Sequence, residues 1–167
     1  VIARILTGVV PILIRSATAA DLPVLGHLGA LLMRVHHDFD AQRFLSPGTD
    51  PERGYAWFLG RQIEDKGCLV LVAELEGAVI GYVYAAIEPL SWKELRDQSG
   101  FIHDLVVEPG HRDGGAGSQL LDAAIEWLRG RGMPRVLLCT AEQNAGGQRL
   151  FARHGFRRTM IEMTREL

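Results

Sequence analysis

Between residues 68 and 88 the chain reads CLVLVAEL, then Glu-Gly, then AVIGYVYAAIE. Two runs rich in β-branched and aromatic residues, joined by a short glycine-containing turn, specify an antiparallel hairpin. The segments that follow have to serve that sheet. Residues 89–100, PLSWKELRDQSG, read as a connection, and 101–107, FIHDLVV, as the next strand. Residues 117–132 follow another period: Leu120, Leu121, Ala124, Ile125 and Leu128 fall at helical spacing, and Gly130 or Gly132 stops the helix. RVLLCTA (135–141) is a further strand, GGQRLFARHG (146–155) a further short helix, and FRRTMIEMTREL (156–167) alternates like a closing strand.

Ahead of the hairpin, ILIR (12–15) reads as a strand, and residues 16–33 as a cap region and a helix, with Ser16, Thr18 and Asp21 competing for the cap. Residues 36–54 are polar and punctuated by proline and glycine, an irregular connection, and 55–65 form a second short helix. With 167 residues, no internal repeat and no low-complexity linker, the expectation is one mixed α/β domain. A formal net charge of −2 argues against a nucleic-acid surface, which would show a basic face. The apolar start is interrupted by Arg4, Gly8 and Pro11. It is too short to span a bilayer and lacks a signal-peptide pattern, so a cytoplasmic location without a membrane partner is expected. Cys68 and Cys139 lie far apart in apolar runs and read as buried thiols in a reducing compartment; a metal site needs more ligands, and none is expected.

The strand 101–107 and the helix after it are separated by a loop containing Gly110, Gly114, Gly115 and Gly117. Glycine permits positive φ and close approach, and the amides that open a helix have no intrahelical partner and form an anion cradle. Arg112 adds a charged donor for a phosphate. A tight strand-to-helix turn with no ligand uses the same glycines. The lysine of the nucleotide-binding P-loop is missing, and the glycine spacing does not fit the dinucleotide fingerprint.

Arg112-Asp113-Gly114-Gly115-Ala116-Gly117 matches the R/Q-x-x-G-x-G/A motif of the Gcn5-related N-acetyltransferase (GNAT) superfamily. Asp104-Leu105-Val106-Val107-Glu108-Pro109 resembles that family's fourth strand and the entry to its loop. Asn144-Ala145 and the run from Leu150 through Phe156 resemble its late asparagine and its (F/L)Y-x-x-x-GF segment. The resemblance spans roughly residues 12–165, leaving 1–11 as an extension of a single acyl-CoA N-acyltransferase domain over 1–167. The implied fold is α/β (α+β), a mixed and mostly antiparallel central sheet flanked by helices, with strands 4 and 5 splayed.

The same resemblance implies acetyl transfer from acetyl-CoA to a primary amine of a small molecule or peptide, by direct attack in a ternary complex. It assigns the pyrophosphate to the amides from Arg112 through Asp113, Gly114, Gly115, Ala116 and Gly117, with the Ser118 hydroxyl beside them. It lays the pantetheine arm along Leu105, Val106 and Val107 as an added strand. Asn144 contacts the cofactor arm or caps the helix 145–153. Where many relatives carry a glutamate, His103 stands next to Asp104; these two are the catalytic candidates, His103 as the base that takes the proton of the amine. Strand alternation sends them to opposite faces unless a bulge intervenes. Phe151 replaces the tyrosine that commonly protonates the departing thiolate. That departure leaves open a water-assisted reaction, a non-catalytic or regulatory acyl-CoA-binding domain, or another acyl donor or acceptor.

For the acceptor, His36, His37 and Phe39 stand in the connection expected after the first helix, and Glu88 ends the third strand; these four are the substrate candidates. Trp92 and Glu94 lie in the neighbouring connection. Many relatives are dimers, so a homodimer is expected as well.

Overall fold

The computed structural model describes residues 11–167. The expected extension over 1–11 lies, apart from Pro11, outside the described residues. The hairpin forms at the boundaries its sequence sets: β2 is Cys68–Leu75 and β3 is Ala78–Glu88. Glu76 and Gly77 between them have φ of 51° and 81°, the pair of positive angles whose twist matches the strands it joins. With β1 (Leu13–Ser16), β4 (Ser99–Val107) and β5 (Val136–Leu138) they make a sheet of order β1-β2-β3-β4-β5, antiparallel except for the parallel pair β4–β5.

Helices cover both faces. Helix α1 is Leu22–Phe39, α2 Pro51–Glu64, α3 Ala116–Gly130 and α4 Ala145–Arg153. On one face Leu120, Leu121, Ala124 and Leu128 of α3 pack on Leu71, Val83, Ala85 and Ile102. On the other, Leu25, Leu28 and Leu59 of α1 and α2 pack on Val70, Val72, Tyr82, Ala86 and Val106. The two helices of that layer meet closely because α1 presents glycines: a Cβ at Gly26 would lie 2.4 Å from the Glu52 carbonyl, and one at Gly29 would lie 2.0 Å from the Tyr55 ring. A clamp ties this layer to the sheet edge. Arg15 on β1 donates to Asp21 at 2.9 Å and to Glu74 on β2 at 2.8 Å, and Asp21 accepts from the Thr18 amide and hydroxyl, closing the cap of the first helical turn.

Four expectations change, the first being that Cys139, read as a buried thiol, is exposed, and Cys68 is only half-buried. Helix α1 runs on through His36, His37 and Phe39 instead of giving way to a connection at residue 36, because the backbone ladder continues until Asp40 turns extended. Helix α2 starts at Pro51, four residues early, with Asp50 accepting from the Arg53 amide as its cap. The alternating segment 156–167 forms no strand. Alternation becomes a strand only where a neighbour accepts the ladder, and β5 is only three residues long.

Candidate functional site

Strand β4 is the spine of the site. It pairs with β3 along its length, but β5 pairs only with Gly100–Ile102, so among the described residues the β5-facing edge from His103 to Val107 has no strand beside it. This is the splay expected of strands 4 and 5. Because main-chain groups alternate between the edges of a strand, it turns those of Leu105 and Val107 to the open side, while Val106 faces β3. Tyr84 pairs with Asp104 while Ala85 pairs with Ile102, which makes His103 the extra residue of a β-bulge. The bulge overrides alternation. His103 stacks on Tyr84, and Asp104 bonds to Tyr82, both tyrosines facing α1 and α2; the two candidates therefore share a face.

They are held very differently. His103 lies between the rings of Tyr84 and Phe101, with centroids 4.9 and 4.6 Å away, and its Nε2 is 2.9 Å from the Glu88 carboxylate. The carboxylate can only accept, so a neutral His103 carries its proton on Nε2 and keeps the lone pair on Nδ1. Asp104 is buried under α2, and one of its oxygens accepts from the Tyr55 and Tyr82 hydroxyls, each at 2.8 Å. Burial raises its pKa, and the two hydroxyls counter part of that rise. Burial also lifts both tyrosines, which therefore stay protonated donors. The bonds that Tyr55 and Tyr82 make to Asp104 were not foreseen from the sequence. Tyr55 reaches Asp104 across 49 residues of chain, and no local pattern announces such a contact.

At one end of β4 a cavity of about 390 Å³ is lined by Glu88, Ser91, Glu94, Arg96, Phe101 and His103, among others. Glu88 thus joins His103 there. His36, His37 and Phe39 do not line it. His36 bonds the Leu32 carbonyl and packs edge-on against Phe39 and Phe44, His37 reaches the Phe44 carbonyl, and the Phe39 carbonyl accepts from Gln143. The last turn of α1 is thereby fastened to the segment after it and to the approach to α4.

At the other end, β4 runs into the glycine loop. Arg112 donates from Nε to the Val107 carbonyl, folding the loop back on the strand it leaves. Asp113 and Gly115 take φ of 64° and 90°, and Gly115 is the N-cap of α3. No side chain caps that helix start, so the amides of Ala116, Gly117 and Ser118 face outward with the positive end of the helix dipole. Gly117 sits where a Cβ would touch Leu150 and Val107 at 3.5 and 3.7 Å, against α4 and β4. Gly114 completes the turn, with the His111 carbonyl 3.5 Å from where its Cβ would stand.

Asn144 caps α4: its Oδ1 accepts from the Gly147 amide at 3.0 Å and its Nδ2 donates to Thr140. Phe151 packs edge-on against Phe156, over the α3-side core. Ser118 is already engaged, its hydroxyl lying 2.9 Å from His154, a partner the sequence did not suggest. Among the described residues no three metal-binding side chains gather, and no helix is long and apolar enough to cross a membrane.

An open strand edge that ends in an anion cradle is the architecture of an acyl-CoA-dependent transferase. The model of the acetyltransferase (GNAT) family matches residues 32–156, and the chain belongs to that family. An uncharacterized N-acetyltransferase of Archaeoglobus fulgidus is 30% identical over 109 residues, 65% of this chain and 71% of that protein. Among solved structures, a mutant of the BH1408 protein of Bacillus halodurans superposes with a TM-score of 0.78 at 22% identity, over 93% of this chain and 99% of that one. The aminoglycoside N-acetyltransferase AAC(6')-Iy, solved in complex with CoA, gives 0.75 at 18% identity over 98% and 99%. The fold is the GNAT fold, and the chain is an acetyl-CoA-dependent acetyltransferase with acetyl-CoA as its cosubstrate.

Proposed function

We propose that this enzyme acetylates the primary amine of a small molecule or peptide by direct attack within a ternary complex, and that residues 1–167 act as one acyl-CoA N-acyltransferase domain. The observation that carries the reading is the edge His103–Val107, unpaired among the described residues, which joins the anion cradle at one end to the Glu88–His103 cavity at the other. The pyrophosphate rests on the loop from Arg112 to Ser118, and the pantetheine arm lies along Leu105, Val106 and Val107. Asn144 orders the approach to α4 beside the arm, and Phe151 packs near it.

The amine enters through the cavity, where Glu88 beside His103 attracts a cation and Glu94 is paired with Arg96. Nδ1 of His103 takes the proton of the ammonium, directly or through water, because Glu88 holds the opposite nitrogen protonated. The neutral amine attacks the thioester carbonyl, the tetrahedral oxyanion collapses, and the C–S bond breaks to release the thiolate. Phe151 has no proton to give, so water carries to the thiolate the second proton that the acylated nitrogen has to shed. Asp104 keeps Tyr55 and Tyr82 in place beneath the bulge and sets the negative potential there.

A screen of acetyl-CoA consumption over amines and peptides tests the reading, repeated with His103→Gln. The variant should lose most of its turnover and the acidic limb of its pH–rate profile, the rise in rate as the base gives up its proton. An unchanged rate and profile would remove His103 from the mechanism. Phe151 favours a second reading, an acyl-CoA-binding domain without turnover; CoA binding with no acetylation of any amine would support it. The homodimer and the cytoplasmic setting belong to the same proposal, and light scattering of the purified chain checks the first.

A further inference from the structure

Ser118 stands in the first turn of α3, where side chains tilt toward the amino end of the helix and its unpaired amides. Its hydroxyl lies 2.9 Å from Nε2 of His154, the C-cap of α4. Nδ1 of His154 lies 2.9 Å from the carboxylate of Asp122, one turn further along α3. The carboxylate only accepts, so it takes the Nδ1 proton, and in a neutral ring Nε2 is left as an acceptor. Ser118 must then spend its single proton on His154.

We propose that the chain Ser118–His154–Asp122 decides whether the Ser118 hydroxyl meets the coenzyme's pyrophosphate as a donor or as an acceptor, which makes His154 a positioning residue that couples coenzyme binding to its own protonation. With His154 neutral, the hydroxyl turns only lone pairs to the anion. With His154 protonated, Nε2 donates to Ser118 and the hydroxyl proton is free to bond a phosphate oxygen. Binding therefore draws a proton onto His154. The same order of groups activates serine nucleophiles; beside an anion cradle it selects the direction of a hydrogen bond. The inference rests on the reading of this loop as the pyrophosphate site.

Asp122 is the group within ion-pair distance of His154 among the described residues. The adjoining segments carry Arg149 and Arg153 on α4, Arg157 just beyond it, and His111, Arg112 and Asp113 ahead of α3. The fitting probe is dephospho-CoA, which keeps the pyrophosphate and lacks the separately titrating 3′-phosphate. Its affinity is measured by calorimetry from roughly pH 5 to 8, the span in which imidazoles change charge, in the natural chain and in a His111→Gln background.

Affinity should fall about tenfold as pH rises, the worth of one hydrogen bond, in both backgrounds. Asp122→Ala frees the neutral ring to carry its proton on Nε2, so this variant should bind more tightly at high pH and flatten the profile. Ser118→Ala should bind weakly at every pH without a slope. A bridge that only fastens α4 to α3 predicts weaker binding for Asp122→Ala throughout, and loss of a negative charge alone predicts a uniform gain. Either result overturns the proposal, as does a flat profile in the natural chain or a slope that survives in Ser118→Ala. No binding of dephospho-CoA at any pH overturns the pyrophosphate reading, and the coupling with it.

Discussion

Asp104 is a carboxyl buried beneath a helix, and two tyrosine hydroxyls make that burial tolerable. Removing one should be costly because the acceptor that remains cannot reach water. Tyr82→Phe keeps the shape of the fully buried ring and is expected to lower unfolding stability by about 1–3 kcal/mol, read from urea denaturation. Gly115 makes a complementary case. A Cβ there would meet nothing nearer than the Gln119 amide at 3.7 Å, so space is not what demands glycine; the φ of 90° is. Gly115→Ala should therefore cost about 1–2 kcal/mol and weaken coenzyme A binding, both visible in melts with and without the coenzyme. The loop glycines were legible because strand, glycine run and helix are contiguous in the chain. The partners of Asp104 and Ser118 were not, since Tyr55 and His154 arrive from elements 49 and 36 residues away.

Among elements, the hairpin and α3 carried the clearest signals, and both formed within a residue or two of their expected bounds. Each contains its own stop: the Glu76-Gly77 turn for the hairpin, and glycines flanking a stripe of leucines for the helix. Helix α1 outran expectation because polar residues read as a connection also make an exposed final turn once the helix is anchored upstream. The anchor is its packing on α2 through Gly29. Gly29→Ala drives a Cβ into the Tyr55 ring and should destabilise the chain by about 1–3 kcal/mol. Because Tyr55 would shift away from Asp104, the same variant should also lose acetylation more steeply than coenzyme A affinity, as kinetics and calorimetry would compare. The expected strand after residue 155 failed for the opposite reason, a suitable pattern without a ladder to join.

For the whole molecule, the clamp of Arg15 with Asp21 and Glu74 joins the sheet edge to the helical layer. Hydrogen bonds from Arg15 hold the Asp21 carboxyl down at about 2, below its usual 3.8. A depressed carboxylate contributes its stability above the unfolded pKa. That contribution, on the order of 2 kcal/mol, should be complete above about pH 4 and be lost as pH falls toward 2. Melting temperatures across that range should drop for the natural chain, while Asp21→Asn starts lower and loses less between the two pH values.

The sequence by itself determined the hairpin, the glycine cradle and the helix behind it, hence the family and the donor, because those features are built from neighbours in the chain. Only the tertiary structure decided how the site is wired. The bulge that turns His103 and Asp104 to one face depends on the register of β4 against β3. The partners Glu88, Tyr55, Tyr82 and His154 depend on which elements pack together. Hydrogen bonds between distant segments are set by burial and register, and neither leaves a local periodicity to read.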